Sequence, residues 1–303
     1  MGTDRLGMRR AAVAALTAAL VAVGMTGCAS LRTPGETPGG LPEPTQTLVH
    51  GQSSGGPPPF VVRYDDSELR LAPTSWCWQS GCADGHDPDP PSVGSPDEVL
   101  VFVPVEEFAQ LYVSQRSSDD YCTARTTVNE PVDLGDGWWS LSAAGPAEEW
   151  IVDLFASGDG VGDMISSFVW ATTDDAPLPP PTASLTLIVD HDGAPDSYGL
   201  ELLVNGLTQT PETATATITV TADNGEALTI EAVPAEGCVG EGALFFDGPD
   251  GPARQAAGLG DFPFTYDVTL TLDGGPYTAT AAYPDDAPER EIAVPLEFSP
   301  ALP

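Results

Sequence analysis

The sequence contains no lysine; all ten basic residues are arginine. That absence removes whole reaction classes. No Schiff base can form on a lysine, no P-loop lysine can reach a phosphate, and no Ser–Lys dyad can be built. Histidine is nearly as scarce: His50, His86 and His191 are all there are. A Ser-His-Asp triad would have to recruit one of them from a polar or Asp/Gly-rich stretch. The uncharged apolar run at residues 11–25 falls short of the ~20 residues that span a bilayer as a helix. Helix-period patterning is rare too. Residues 106–112 offer it, with Phe108, Leu111 and Tyr112 on one side, and the same residues also suit a strand.

Acid is abundant. Downstream of residue 27 the chain carries seven arginines against 44 aspartates and glutamates, a formal charge of −37. Such a surface repels nucleic-acid phosphates and anionic headgroups, which excludes DNA, RNA and polybasic membrane docking. The partners it suits are cations, neutral glycans and basic proteins. Solubility and a GC-rich coding bias account for the same composition.

Arg5, Arg9 and Arg10 precede the apolar run, and Met25-Thr26-Gly27-Cys28 closes it with small residues beside a cysteine. A basic head, a short apolar core and a small-residue cleavage site predict a secretory signal peptide over 1–27. The closing tetrapeptide resembles the lipobox of bacterial lipoproteins, with Met25 standing where leucine is usual. The resemblance implies that the Cys28 thiol receives a diacylglycerol, that cleavage falls before Cys28, and that the protein sits lipid-anchored on the outer face of the cell membrane.

Residues 28–59 follow. From 29 to 59, 13 of 31 positions are Pro or Gly, which predicts a disordered tether with a random-coil span of roughly 30 Å. Gly51-Gln52-Ser53-Ser54-Gly55 matches G-x-S-x-G, but three prolines stand where the nucleophile elbow needs a helix. From Phe60 the texture changes to short apolar runs at 60–64, 68–72, 98–105, 121–128, 138–143, 149–155 and 165–172, the spacing of a β-sandwich. A Pro-rich linker spans 176–182. Beyond it, 185–189, 200–207, 215–221, 228–233, 265–272, 277–283 and 292–298 alternate more cleanly, with hairpin turns at Asp223-Asn224-Gly225 and Asp273-Gly274-Gly275. The fold class expected is all-β: two immunoglobulin-like sandwiches, 60–175 and 183–303, or one larger continuous sandwich.

Chemistry is harder to place. Asp190, Asp192 and Asp196 surround a Gly turn and suit a weak Ca²⁺ site resembling part of an EF-hand or dockerin-like loop. Ile188 and Gly199, however, stand where the first ligand and the bidentate glutamate belong, so a solvated turn suits these residues as well. Asp159 and Asp163 are a fainter pair, beside a Gly158–Gly162 run without the strand–helix context of a dinucleotide loop. All six tryptophans precede the Pro-rich linker, and Trp76, Trp78, Trp138 and Trp139 form a candidate ligand face. For each one singly, core packing is the ordinary role. Cys77, Cys82, His86 and Cys122 could begin a metal site. Outside the membrane, disulfides are the simpler use of these cysteines. With Cys28 lipidated, four remain, and the expected pairing is Cys77–Cys82 with Cys122–Cys238. The Cys77 loop and the closing EFSPALP at 297–303 are similar to uncharacterised lipoproteins of high-GC Gram-positive bacteria, a resemblance that implies no activity. The function expected is a non-enzymatic binding or structural module of the envelope, with cell-wall glycan or another envelope protein as partner and no cofactor beyond weak Ca²⁺. The other class is an enzyme of the glycoside hydrolase type, with two partly buried carboxylates ~5–9.5 Å apart.

Overall fold

The computed structural model describes residues 30–51, 55–186, 200–235, 237–286 and 293–303. The expected signal peptide, Cys28, Ser53, the Asp190, His191, Asp192 and Asp196 loop, and Ile292 lie outside the described residues. Among the described residues the chain is nearly all β, and no helix is long and apolar enough to cross a membrane.

Two sheets face one another in the first half. One contains β1 (Gln46–His50), β3 (Ser67–Leu71), β2 (Phe60–Tyr64), β6 (Val99–Phe102), β10 (Trp138–Leu141) and β9 (Val132–Gly135), in that spatial order. The other runs β5 (Gly81–Ala83), β4 (Ser75–Trp78), β12 (Gly162–Ala171), β11 (Glu149–Gly158), β7 (Gln110–Arg116) and β8 (Thr126–Asn129). Val62, Leu69, Val99 and Val101 of the first sheet pack with Val113, Val152, Leu154, Phe168 and Trp170 of the second in one core. The strict alternation of β11 and β12 places their even residues inward, as period-two geometry requires.

Strands β2 and β6 are buried along their whole length, so the first sheet is covered on both faces. Their sequences, FVVRY and VLVF, are continuous apolar or aromatic runs with one arginine, the pattern of a two-sided strand. The outer cover is the stretch expected as a disordered tether. Residues 30–51 run along the first half as an arm. Arg32 N donates to Pro104 O at 2.7 Å, Glu106 N to Ser30 O at 2.9 Å, and Ser30 N to the Glu107 carboxylate at 2.7 Å. Leu41 packs on a small outer core of Val61, Leu100, Phe102 and Trp138. Arg63, buried, donates to Gly35 O and to the Thr37 hydroxyl, and its Nε bonds Glu68. The arm ends as β1, paired in parallel with β3. Its composition suggests disorder, but it carries little core of its own and borrows the sheet's outer face instead.

Other differences are local. Residues 106–112 form no helix; a turn leads into β7, whose alternating burial sets Leu111 and Val113 inside and Tyr112 outside. Within 121–128 the strand begins at Thr126, because the Asp120 carbonyl and carboxylate hold 122–124 in a turn. Eleven strands, β2 to β12, occupy 60–175 where seven apolar runs were expected.

In the second half β13 (Thr182–Thr186), β14 (Glu201–Asn205), β17 (Leu244–Asp247) and β20 (Ala293–Pro295) form one layer. The other layer is β15 (Ala214–Thr221), β16 (Ala227–Pro234), β18 (Phe264–Leu272) and β19 (Gly275–Tyr283). Strand β16 belongs to both: residues 227–232 pair with β15, and Val233 and Pro234 with β17. A strand that switches sheets makes the corner of such a sandwich. The layers share one core that includes Leu185, Leu202, Phe246, Ile218, Val220 and Val268. One helix, α1 (Asp250–Ala257), buries Ala253 and Ala256. It complements its dipole with Asp250 in the first turn and Arg254 in the last.

The two halves meet at a seam. The Cys122–Cys238 disulfide crosses it, and Glu241 N donates to Ala124 O at 3.0 Å. Arg125, 6% exposed, donates from Nη1 to Leu207 O at 2.9 Å and from Nη2 to Thr208 O at 3.1 Å and the Glu241 carboxylate at 2.5 Å. Gly240 has no side chain for a packing reason: a Cβ there would lie 2.4 Å from Ala124 O.

Candidate functional site

The four downstream cysteines are disulfide-bonded in the expected pairing, Cys77–Cys82 and Cys122–Cys238. This rules out the thiolate metal site imagined for Cys77, Cys82, His86 and Cys122, since disulfide sulfurs are not thiolate ligands. His86 is exposed in the following loop, and His50 closes the end of β1 against Asp87 at 2.5 Å. Among the described residues no group of three or more His, Cys, Asp or Glu side chains is placed to hold a metal ion.

The tryptophans do not form an exposed aromatic face. Trp150 and Trp170 are core residues, each donating its indole N–H to a proline carbonyl, Pro146 and Pro96 respectively. Trp76 is 9% exposed, with its ring against Gly56 and Gly81. Trp138 and Trp139 point to opposite faces of β10, as neighbours on a strand must. Trp139 meets the main core, while Trp138, 3% exposed, sits under the arm with Phe102 at 5.1 Å and the Arg63 guanidinium 4.8 Å from its ring. Of the four proposed ligand-face residues, Trp138 borders a groove along the arm, and Trp78 reaches a second surface groove.

That groove unites two stretches that stand apart in sequence. Antiparallel pairing of β4 with β12 sets Cys77 opposite Asp163 and Trp78 opposite Gly162. The Cys77–Cys82 loop thereby lies beside the turn that joins β11 to β12. Trp78, Gln79, Ser80, Ser157, Asp159 and Asp163 line the space between, with a volume of ≈ 650 Å³. The Gly158–Gly162 run is therefore a hairpin tip and not a nucleotide loop. Gly162 is required there, with φ at 132° and no room for a Cβ, which would overlap Cys77 O. Asp163 is half-buried, and its carboxylate accepts a hydrogen bond from Cys77 N at 3.3 Å. Asp159 is exposed. The Trp78 indole nitrogen is buried and finds no acceptor among the described residues. A buried donor left unsatisfied costs about 1–3 kcal/mol, which the disulfide-closed loop and the flanking ladder must offset.

The carboxyls whose titration is shifted, Glu148 and Glu43, lie away from this groove. Burial, and then the charge of Glu241, push the Glu148 carboxyl up against the opposing pull of Arg125. In the arm, Glu43 is held below the usual carboxylate range by the Thr37 N–H it accepts from.

No protein-family model and no curated protein sequence matches the chain. The geometry of the groove and the seam therefore carries the functional argument alone. A groove with one aromatic wall, two hydroxyl side chains, an amide and two carboxylates can hold a hydroxyl-rich or cationic ligand. It lacks the pair of partly buried carboxylates that the hydrolase reading asks for: one of its acids is exposed, and the other is engaged in holding the loop.

Proposed function

We propose that this protein is a lipid-anchored, non-catalytic binding module of the cell envelope, with the Trp78 groove as its ligand face and neutral or cationic glycan as its ligand class. The observation that carries the reading is the disulfide-closed Trp78 loop set against Asp159 and Asp163. Sugar hydroxyls suit such a mixture of aromatic surface and acceptors, and a rigid rim reduces the ordering cost of binding. The lipobox-like Met25–Cys28 stretch and two disulfides fit an oxidising compartment outside the membrane. The acid excess disfavours polyanionic partners.

The test is co-sedimentation with purified cell-wall glycan, comparing the wild type with Trp78→Ala and Asp159→Asn. Retention of the wild type, with loss in Trp78→Ala and weakening in Asp159→Asn, supports the reading. Failure of the wild type to sediment, or equal retention of all three, ends it. In parallel, Cys28→Ala should block lipidation and Cys-dependent cleavage, and a variant still processed at the same bond and kept in the membrane fraction removes the lipoprotein reading.

A further inference from the structure

We propose that the first sandwich is held directly against the membrane, docking on the headgroup layer through an apolar edge formed by Leu31, Val132 and Leu134. This rests on the reading of Cys28 as the lipid-bearing residue and goes beyond it, because an anchor alone leaves the distance and orientation of the domain open.

The distance follows from the arm. A free tether of residues 28–59 would lift the domain by roughly 30 Å. Instead, Ser30 is fixed at both backbone atoms, donating to Glu107 and accepting from Glu106 N. Leu31 bridges to Val105, and Arg32 N bonds Pro104 O. Cys28 precedes Ser30 by two residues, and two residues of extended chain reach at most ~7 Å. The spacer is used up in covering the sheet, and the lipid attachment point stands next to the domain surface.

The orientation follows from what is exposed at that place. Leu31 is 55% exposed and Leu134 is 41% exposed, and both line one groove with Arg32 and Trp138. Val132, 58% exposed, stands two residues before Leu134 on β9, the terminal strand of the first sheet, opposite Ser140 of β10. Three exposed aliphatic side chains, two on an edge strand and one on the arm at the same groove, would otherwise invite association with another protein surface. An interfacial membrane layer accepts them without a protein partner. Glu36, Glu106 and Asp136 rim the same groove. They favour a zwitterionic headgroup layer over an anionic one.

The experiment uses the full lipidated protein reconstituted in phosphatidylcholine vesicles doped with a headgroup-nitroxide lipid. A fluorophore is placed at Val132→Cys in one sample and at Gln255→Cys, exposed on α1 in the second half, in another. Flotation with the vesicles reports anchoring, and nitroxide quenching reports proximity. The expected result is co-flotation of both, with quenching at position 132 several-fold greater than at 255. Equal quenching at the two positions in floated protein overturns the docked edge while leaving the anchor intact. Failure of the wild type to float, or flotation equal to wild type of Cys28→Ala protein beginning at residue 28, removes the anchor reading and this proposal with it.

Discussion

Replacing Arg125 with methionine tests what holds the two halves in register. The substitution keeps most of the stem volume and removes every donor. Three acceptors lose a partner, and their surroundings decide what each loss costs. Leu207 is fully buried, so its carbonyl has no route to water, and an orphaned buried acceptor costs about 1–3 kcal/mol. Thr208 is exposed, so water replaces the guanidinium at little cost. The Glu241 side chain is 53% exposed, and a pair so solvated contributes at most about 1 kcal/mol. The sum is about 1–4 kcal/mol. It should be read from urea unfolding of the oxidised protein as a lower midpoint with an unchanged slope. A loss below about 0.5 kcal/mol, in the range of an ordinary surface substitution, would refute the claim that the Leu207 carbonyl depends on Arg125.

Glu148→Gln should stabilise the protein at neutral pH. The folded-state pKa of Glu148 is raised, so the folded state binds its proton more tightly and loses stability as pH rises through that range. The gain should be small, because water screens a half-buried group, and thermal unfolding should show it closing below the ordinary carboxylate range. Replacing Cys122 and Cys238 together with serine removes a crosslink between residues 116 apart, which the chain-entropy model values at up to about 4.8 kcal/mol. Cleavage within 176–182 should then release two fragments without reductant, and fragments that stay together on a sizing column would count against a seam dominated by the bridge. Gly162→Ala forces a Cβ into Cys77 O at a positive φ and should cost at least ~2 kcal/mol. A melting temperature equal to wild type would contradict the packing described at the groove.

Much of this was legible in the chain. Alternation marked β11, β12, β15 and β18, where one face is buried and the other wet. Asp273-Gly274 announced its hairpin because both residues take positive φ, at 47° and 84°. Cysteine parity announced a covalent tie between the halves. The arm was not legible, because its proline and glycine content describes the chain alone and not the outer surface waiting for it. The clue lay elsewhere, in 99–103: an unbroken VLVFV run needs cover on both faces. Helix α1 was hidden by its Gly251-Pro252 pair, which reads as a turn although proline is tolerated in a first helical turn. Both rims of the groove stood out in sequence. Their meeting did not, because it depends on a strand pairing between residues 86 apart.

The Cys122–Cys238 bridge also changes how the molecule would respond to force. Tension applied between the proposed attachment point at Cys28 and the far terminus passes from Cys122 to Cys238 through sulfur and bypasses everything between them. The 116 residues of that loop correspond to about 400 Å of extended chain that stretching cannot release while the bond is oxidised. Within that shielded loop lie β8 to β16, including the β11–β12 turn, whereas the Trp78 rim on β4 and β5 precedes Cys122 and carries the load, so pulling would part the two rims of the proposed ligand face while the bridge holds the rest.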